Sequence, residues 1–213
     1  RRQRQMCIRD SVCLTWLAFG DAEQADKLVQ AQYHQANNMT DALAALSAAV
    51  AAQLPCHEAL LAAYDERWHQ DGLVMDKWFV LQATSPAADV LSRVRALLSH
   101  RSFSMGNPNR VRSLIGAFAS ANPAAFHAKD GSGYQFMVEM LTDLNTRNPQ
   151  VAARMVEPLI RLKRYNSERQ ALMRQALEQL KALENLSGDL YEKITKASVS
   201  YTHLRAHETK ANL

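Results

Sequence analysis

Several features that would narrow the class of this protein are missing from its 213-residue sequence. No run of about 18 apolar residues occurs, so no membrane span is predicted. Only seven glycines and six prolines interrupt a chain rich in alanine and leucine, which favours helices. The three cysteines, Cys7, Cys13 and Cys56, form no C-x-x-C pair, which predicts no disulfide framework, no structural metal and a reducing compartment.

Basic residues are concentrated at the two ends of the chain. The net charge is +4 and the sequence pI is about 9.1, values that invite a nucleic-acid hypothesis. Residues 1–10 hold four arginines and one aspartate, and residues 198–213 hold one arginine, one lysine and one glutamate. The remaining body carries no net charge, so we predict no nucleic-acid partner.

The terminal segments differ from the body in composition and pattern. Residues 1–11 are polar and basic without an apolar period, and residues 198–213 mix β-branched and polar residues at no usable spacing. Both resemble translated sequencing-adapter DNA, and we therefore interpret them as foreign and set them aside. The predicted domain is residues 12–197.

The body predicts about eleven helices and no strand. Asparagine or serine precedes proline at Ser85, Asn107, Asn122 and Asn148, which predicts an N-cap followed by proline in the first helical position. Cap positions recur about every 40 residues, the period of a two-helix repeat. The predicted fold class is all-α, a superhelix of antiparallel helix pairs of the HEAT or armadillo kind.

Other local patterns give further expectations. Thr40 is predicted to cap one helix, and Ser167 another, with Gln170 completing a capping box. The segment "LVMDKWFVLQA" is apolar almost all round, which predicts a central helix. Cys56, like the other cysteines, is expected to be a buried, inert thiol.

No catalytic motif is complete. "HEALL" (57–61) and "HETKA" (207–211) begin like the zinc motif H-E-x-x-H, but Leu61 and Ala211 replace the second histidine. "DGSG" (130–133) lacks the preceding strand and following G-K-[ST] of a phosphate loop, so a turn before a helix is favoured. His127 is interpreted as a loop or core histidine.

Long strings of the body carry a family resemblance. Among them are "WHQDGLVMDKWFVLQATSP", "NPNRVRSLIGAFASANPAAFHAKDGSGY" and "VEMLTDLNTRNPQVAARMVEPLIRLKRY". They resemble the C-terminal domain of the bacterial aminopeptidase N family, the alanyl aminopeptidases among the gluzincin zinc metallopeptidases. The resemblance covers essentially all of residues 12–197.

The resemblance implies a role within a larger enzyme. The family removes N-terminal residues from peptides, with a zinc ion held by an earlier catalytic domain, and the implied location is cytoplasmic. This chain would be the helical domain that closes over the catalytic domain and limits access to the chamber. Alone, it would carry no catalytic residue and no cofactor, and its partners would be the peptide and the catalytic domain.

The resemblance also implies substrate-binding residues. Gln150 and Arg154, four apart on one helix face, would line the chamber, with Arg112 as a further member of the same surface. Arg154 could bind a peptide's C-terminal carboxylate, or it could form a salt bridge within the domain. Arg110 and Arg112 are expected on different faces of their helix. The alternative function is a free-standing helical-repeat adaptor that binds protein partners.

Overall fold

The computed structural model describes residues 12–197, and every regular element in that range is a helix. The predicted segments 1–11 and 198–213, with Cys7 and "HETKA", lie outside the described residues. The all-α class is therefore confirmed for the part that is described. No described helix combines the length and apolar character needed to cross a membrane.

The chain divides into two compact units, and the first ends at Phe103. Its described helices are α1 (12–20), α2 (Ala22–Gln35), α3 (Met39–Ala51), α4 (His57–Trp68), α5 (Gly72–Ala83) and α6 (Val90–Leu97). Each of α2 to α5 packs against the helix that follows it in the chain. These contacts between sequence neighbours are typical of helical repeats.

The second unit begins at Ser104. It contains α7 (Pro108–Val111), a π-helical segment (Arg112–Gly116), α8 (Ala117–Ala121), α9 (Pro123–Phe126), α10 (Ser132–Arg147), α11 (Pro149–Met155), α12 (Glu157–Ile160), a 3₁₀ turn (Leu162–Arg164), α13 (Ser167–Lys181) and α14 (188–197). The central helix α10 packs against α9, α11 and α13. The candidate site residues all belong to this unit.

Three of the four predicted cap-and-proline pairs begin helices. The side chains of Asn107, Asn122 and Asn148 accept backbone N–H hydrogen bonds at 2.9, 3.3 and 3.2 Å, and proline follows each as the first helical residue. The prediction for Ser85 is wrong. Its hydroxyl accepts from the Ala87 N–H at 3.3 Å, but this closes a local turn, and α6 begins later.

Two other predicted caps lie inside their helices. Asn38, and not Thr40, caps α3 by accepting the Asp41 N–H at 3.0 Å. Asn166 caps α13 in place of Ser167, and the Gln170 amide donates to the Tyr165 carbonyl, so no capping box forms. In both cases an asparagine one or two residues upstream competes for the cap, because its short amide reaches the free N–H groups as well as serine or threonine does.

Helix α5 is central on one face only. Met75, Trp78 and Phe79 are buried, and the Trp78 indole N–H donates to the Leu61 carbonyl at 3.0 Å. Leu73, however, is 75% exposed and Val80 lies at the surface. The predicted central helix therefore contributes one buried face to the core and keeps another at the surface.

The two described cysteines differ in environment. Cys56 is buried, and burial raises the pKa of its thiol to about 12, with the Asp26 carboxylate nearby adding to the rise. The expectation of a buried, inert thiol is confirmed for Cys56. It is wrong for Cys13, which is exposed on α1.

Candidate functional site

Helix α11 presents two of the three predicted binding residues. The Asn148 cap and Pro149 fix where the helix begins, which places Gln150 in its first turn and Arg154 in its last. Ala152, Ala153 and Met155 face the core, whereas Gln150 and Arg154 are exposed. The four-residue spacing thus puts an amide and a guanidinium on one solvent-facing stripe.

The π-helical segment places the third residue, Arg112. Arg110, two positions earlier, is buried, whereas Arg112 is exposed, so the expectation that they lie on different faces is confirmed. The Arg112 Nε donates to the Pro108 carbonyl at 3.2 Å, which holds the side chain along its own helix. At the far end of the segment, a Cβ on Gly116 would lie 3.2 Å from the Met155 methyl group, so this helix packs closely on α11.

All three predicted residues meet at one surface depression, here called the narrow cleft. It has a volume of about 180 Å³, and its lining residues are Pro108, Arg112, Asn148, Gln150, Val151, Arg154 and Met155. Two guanidinium groups and one primary amide therefore share a small space. Such a set can bind a carboxylate and hydrogen-bond a peptide group beside it.

Arg154 has no acidic partner among the residues that the structure describes. Within residues 12–197, no carboxylate oxygen lies within 4 Å of its guanidinium nitrogens. The alternative of a salt bridge inside the domain is thus not observed in the described part. Its guanidinium keeps its hydrogen-bonding capacity for a ligand.

A second depression, the wide cleft, shares Gln150 and Arg154 with the narrow cleft. It has a volume of about 580 Å³ and is lined by Gln150, Ala153, Arg154, Asp189, Glu192, Lys193 and Lys196. One wall of the wide cleft is α11, and the other is the charged face of α14. Sequence reasoning missed these four residues, although the spacings 189/193 and 192/196 indicate neighbours on one helix face.

Most charges of α14 are paired. Lys196 forms an ion pair with Glu192 one turn earlier, and Lys193 Nζ lies 3.8 Å from a Glu157 carboxylate oxygen. The described residues give Asp189, as they give Arg154, no ion pair. Among residues 12–197, the wide cleft therefore has one cation on α11 and one anion on α14 without an ion-pair partner.

A buried asparagine fixes the start of the α14 wall. The Asn145 side chain on α10 donates to the Asn185 carbonyl at 2.7 Å and accepts the Ser187 N–H at 2.9 Å. Asn145 is 6% exposed, and both hydrogen bonds are partly shielded from water. The turn before α14 is thereby fastened to the helix that precedes α11.

The incomplete zinc motif has no metal-binding geometry. His57 Nδ1 lies 2.6 Å from the Leu54 carbonyl and Nε2 lies 3.1 Å from the Glu58 carboxylate, while Leu61 is buried apolar core. Among residues 12–197, no group of three or more His, Cys, Asp or Glu side chains could hold a metal ion. The described residues thus do not fit the zinc ion that the family resemblance implies for the whole enzyme.

The "DGSG" segment and His127 are structural. Gly131 takes φ 75° and Asp130 accepts the Ser132 N–H at 3.0 Å, which forms the turn into α10. His127 is buried against Tyr165, with its Nδ1 2.7 Å from the Tyr134 hydroxyl. Burial lowers the pKa of His127, and the Arg169 charge adds to that effect, so the ring is a neutral core group. Both interpretations from sequence are confirmed.

Comparison with protein families gives one match over nearly the whole chain. A family described as "Domain of unknown function (DUF3458_C) ARM repeats" matches residues 3–199. ARM repeats are stacked helices, so the helical-repeat class predicted from sequence is confirmed.

Relatives of known name are much longer than this chain. It is 75% identical over 187 residues to aminopeptidase N of Escherichia coli (strain K12) and 54% identical over 190 residues to that of Haemophilus influenzae. These matches cover 88% and 89% of this chain but 22% of each relative, so the chain spans about a fifth of their length.

A solved structure shows the same fold. Aminopeptidase A of Legionella pneumophila, crystallised in complex with aspartic acid, superposes with a TM-score of 0.83 and 32% sequence identity. The superposition covers 89% of this chain and 22% of the other.

Proposed function

This chain belongs to the DUF3458_C family of ARM repeats and matches a C-terminal fragment of aminopeptidase N, and we propose that it is the capping domain of such an enzyme. The parent would be a cytoplasmic zinc aminopeptidase that removes N-terminal residues from peptides. The chain would enclose the active-site chamber and limit which peptides enter. The carrying observation is 75% identity over 88% of the chain, within a relative several times longer.

The narrow cleft supports a direct part in peptide binding. Arg154 and Arg112 offer charge-assisted hydrogen bonds to a C-terminal carboxylate, and Gln150 can bond the adjacent peptide group. Holding the far end of a short peptide orients its N-terminus toward the catalytic domain, which would hold the zinc. The chain itself would position substrate and exclude water, without bond-breaking chemistry.

Exposed apolar side chains support a covering partner domain. On α1, Trp16 is 75% and Phe19 66% exposed, and Val12 is half exposed on the same helix. A cluster of exposed apolar side chains of this kind marks a contact surface. In the parent enzyme they would meet other parts of the polypeptide, and a separate chain would self-associate, which sedimentation velocity would detect.

The proposed domain extends over residues 12–197, with 1–11 and 198–213 foreign to it. The genomic reading frame tests this boundary. H-E-x-x-H and G-x-M-E-N in frame upstream of Val12, with a stop soon after Ala197, would support it. A frame that begins and ends as this sequence does would contradict it and favour the adaptor alternative.

We expect the purified chain to hydrolyse no alanyl-anilide and to bind no stoichiometric zinc, because its described residues supply no ligand set. Turnover of alanine p-nitroanilide and metal content by atomic absorption are the measurements. The intact E. coli relative, assayed in parallel, is the positive control. Turnover proportional to the amount of chain, resistant to further purification, would overturn the proposal of a non-catalytic domain.

Replacing Arg154 with alanine is expected to weaken binding of N-acetyl-Ala-Ala to this chain about five- to tenfold, because one of two guanidinium groups is lost. N-acetyl-Ala-Ala amide, which lacks the carboxylate, should bind weakly to both proteins. Chemical-shift titration of ¹⁵N-labelled chain measures these affinities.

The matched control for this substitution is Arg147→Ala. Arg147 is exposed, pairs with Asp143 at 2.7 Å and lines neither cleft, so its removal changes the net charge equally. Arg154→Lys should bind with intermediate affinity, since an ammonium group cannot make the two parallel bonds of a guanidinium. Equal losses in the Arg147 and Arg154 variants would show a general charge effect and contradict the proposed site.

A further inference from the structure

The two walls of the wide cleft carry opposite charges that find no ion-pair partner in the described part of the chain. Arg154 projects from α11 and Asp189 from the first turn of α14, and both line the same space of about 580 Å³. The other charges of the lining are engaged, Glu192 with Lys196 and Lys193 with Glu157. What remains for a ligand is one cation and one anion facing a common volume.

The position of Asp189 is fixed by the fold. The turn before α14 is fastened to α10 by two part-buried hydrogen bonds that the Asn145 side chain makes to residues 185 and 187. Leu190, next to Asp189, is fully buried. The backbone that carries the carboxylate is therefore held in place, so Asp189 is a built part of this wall.

We propose that the wide cleft binds an ammonium group of the peptide at Asp189 while Arg154 binds its C-terminal carboxylate. The inference rests on the proposed function, because it takes Arg154 as the carboxylate ligand. It adds a second recognition element, which makes Asp189 a specificity-determining residue. The chain would then favour short peptides that carry a positive charge near the carboxyl end.

An ammonium group suits this site better than a metal ion. Asp189 is a single carboxylate, and no cluster of three potential metal ligands exists among residues 12–197. Hard cations need several oxygen ligands, whereas an ammonium needs one acceptor and otherwise keeps its water. Asp189 also lies at the surface, so its ligand need not be fully desolvated.

Two kinds of peptide supply the required ammonium. In a dipeptide the N-terminal amine lies one residue before the carboxylate, and in a longer peptide a C-terminal lysine supplies its side chain. The first would make the cleft a site for short products. The second would make it a selector of basic C-terminal residues.

The test compares four peptides on ¹⁵N-labelled chain by chemical-shift titration. N-acetyl-Ala-Ala has a carboxylate without an ammonium, Ala-Ala adds an N-terminal ammonium, N-acetyl-Ala-Lys adds a side-chain ammonium, and N-acetyl-Ala-Lys amide lacks the carboxylate. We expect at least one of the two ammonium-bearing acids to bind about threefold tighter than N-acetyl-Ala-Ala, the size typical of a half-exposed ion pair. Which of them gains identifies the source of the ammonium.

The variant Asp189→Asn should abolish that gain, so that the ammonium-bearing acid binds no more tightly than N-acetyl-Ala-Ala. Glu184→Gln is the control, since Glu184 is an exposed acid that lines neither cleft, and it should keep the gain. Far-UV circular dichroism checks that both variants fold.

The outcomes separate this inference from the proposed function. If the chain prefers a free carboxylate but binds neither ammonium-bearing acid more tightly than N-acetyl-Ala-Ala, the inference is overturned and the narrow-cleft function stands. The same holds if the tighter binding of an ammonium-bearing acid survives Asp189→Asn. Loss of the carboxylate preference itself, seen as equal binding of N-acetyl-Ala-Lys and its amide, would overturn both.

Discussion

Replacing Gly133 with alanine is expected to lower the free energy of unfolding by about 3 kcal/mol or more. Gly133 lies in the first turn of α10, where a Cβ would come within 2.3 Å of the Phe126 carbonyl oxygen and 2.8 Å of its carbonyl carbon. No rotamer relieves this contact, because the atoms belong to backbone. Helix α9 would have to move away from α10. Because Phe126, the last residue of α9, is fully buried, this movement would disturb the core.

The matched control for Gly133→Ala is Gly188→Ala. Gly188 lies in the same unit, at the first position of α14, and a Cβ there meets nothing within 4 Å. That substitution should be neutral or slightly stabilising, because alanine has a higher helix propensity than glycine. Urea unfolding followed by circular dichroism measures both. A loss below about 1 kcal/mol for Gly133→Ala would show that α9 and α10 do not approach so closely.

Replacing Phe118 with alanine is expected to cost about 3–5 kcal/mol of stability. The Phe118 ring is fully buried, and it packs edge-to-face on Phe126 and Phe136 with ring centroids 6.2 and 5.5 Å away. Truncation would remove both aromatic contacts and leave a cavity bounded by rigid rings, which collapse poorly.

Phe19→Ala makes the same chemical change at an exposed position and is the control for Phe118→Ala. Phe19 is 66% exposed on α1, so its removal should change stability by no more than about 0.5 kcal/mol. Chemical denaturation of both variants at low protein concentration, where association is suppressed, gives the comparison. Similar losses for the two variants would contradict the packing described for Phe118.

Local chain chemistry was enough to predict most of the helices. Three asparagine–proline pairs begin helices as expected, because cap and proline are both short-range signals. The errors at Thr40 and Ser167 arise where two residues that can cap lie close together. The choice between them depends on backbone angles that only the packed structure sets.

Burial was harder to predict than helix formation. The apolar composition of α5 predicted a central helix, yet Leu73 is largely exposed while Met75 and Phe79 are buried. Composition reports the mean environment of a helix, whereas the exposed face depends on which other helices pack against it. That information lies in long-range contacts.

Half of the candidate site, the part formed by α11 and Arg112, was predicted before the structure was considered. Gln150, Arg154 and Arg112 were named from the family resemblance, and the structure gathers them around one cleft. Asp189 and its neighbours on α14 were missed, because they come some 35 residues later and reach Arg154 only through the packing of α14 beside α11. A charged stripe on a terminal helix is otherwise indistinguishable from an ordinary solvated face.

The π-helical segment lies within one continuous run of helix that contributes both to the aromatic core and to the narrow cleft. Its wider turn accommodates one residue more than an α-helical turn does, so it is equivalent to a single-residue insertion tolerated inside a helix. Downstream of the segment, Phe118 keeps its place in the aromatic core, while Arg112, the first residue of the segment, keeps its place at the cleft. Losing one residue here would turn Arg112 by about 100° relative to Phe118, since each α-helical residue advances by that angle. In evolution, the deletion or insertion of a single residue in this segment can therefore remove or restore the ligand contact of Arg112, without the substitution of any side chain.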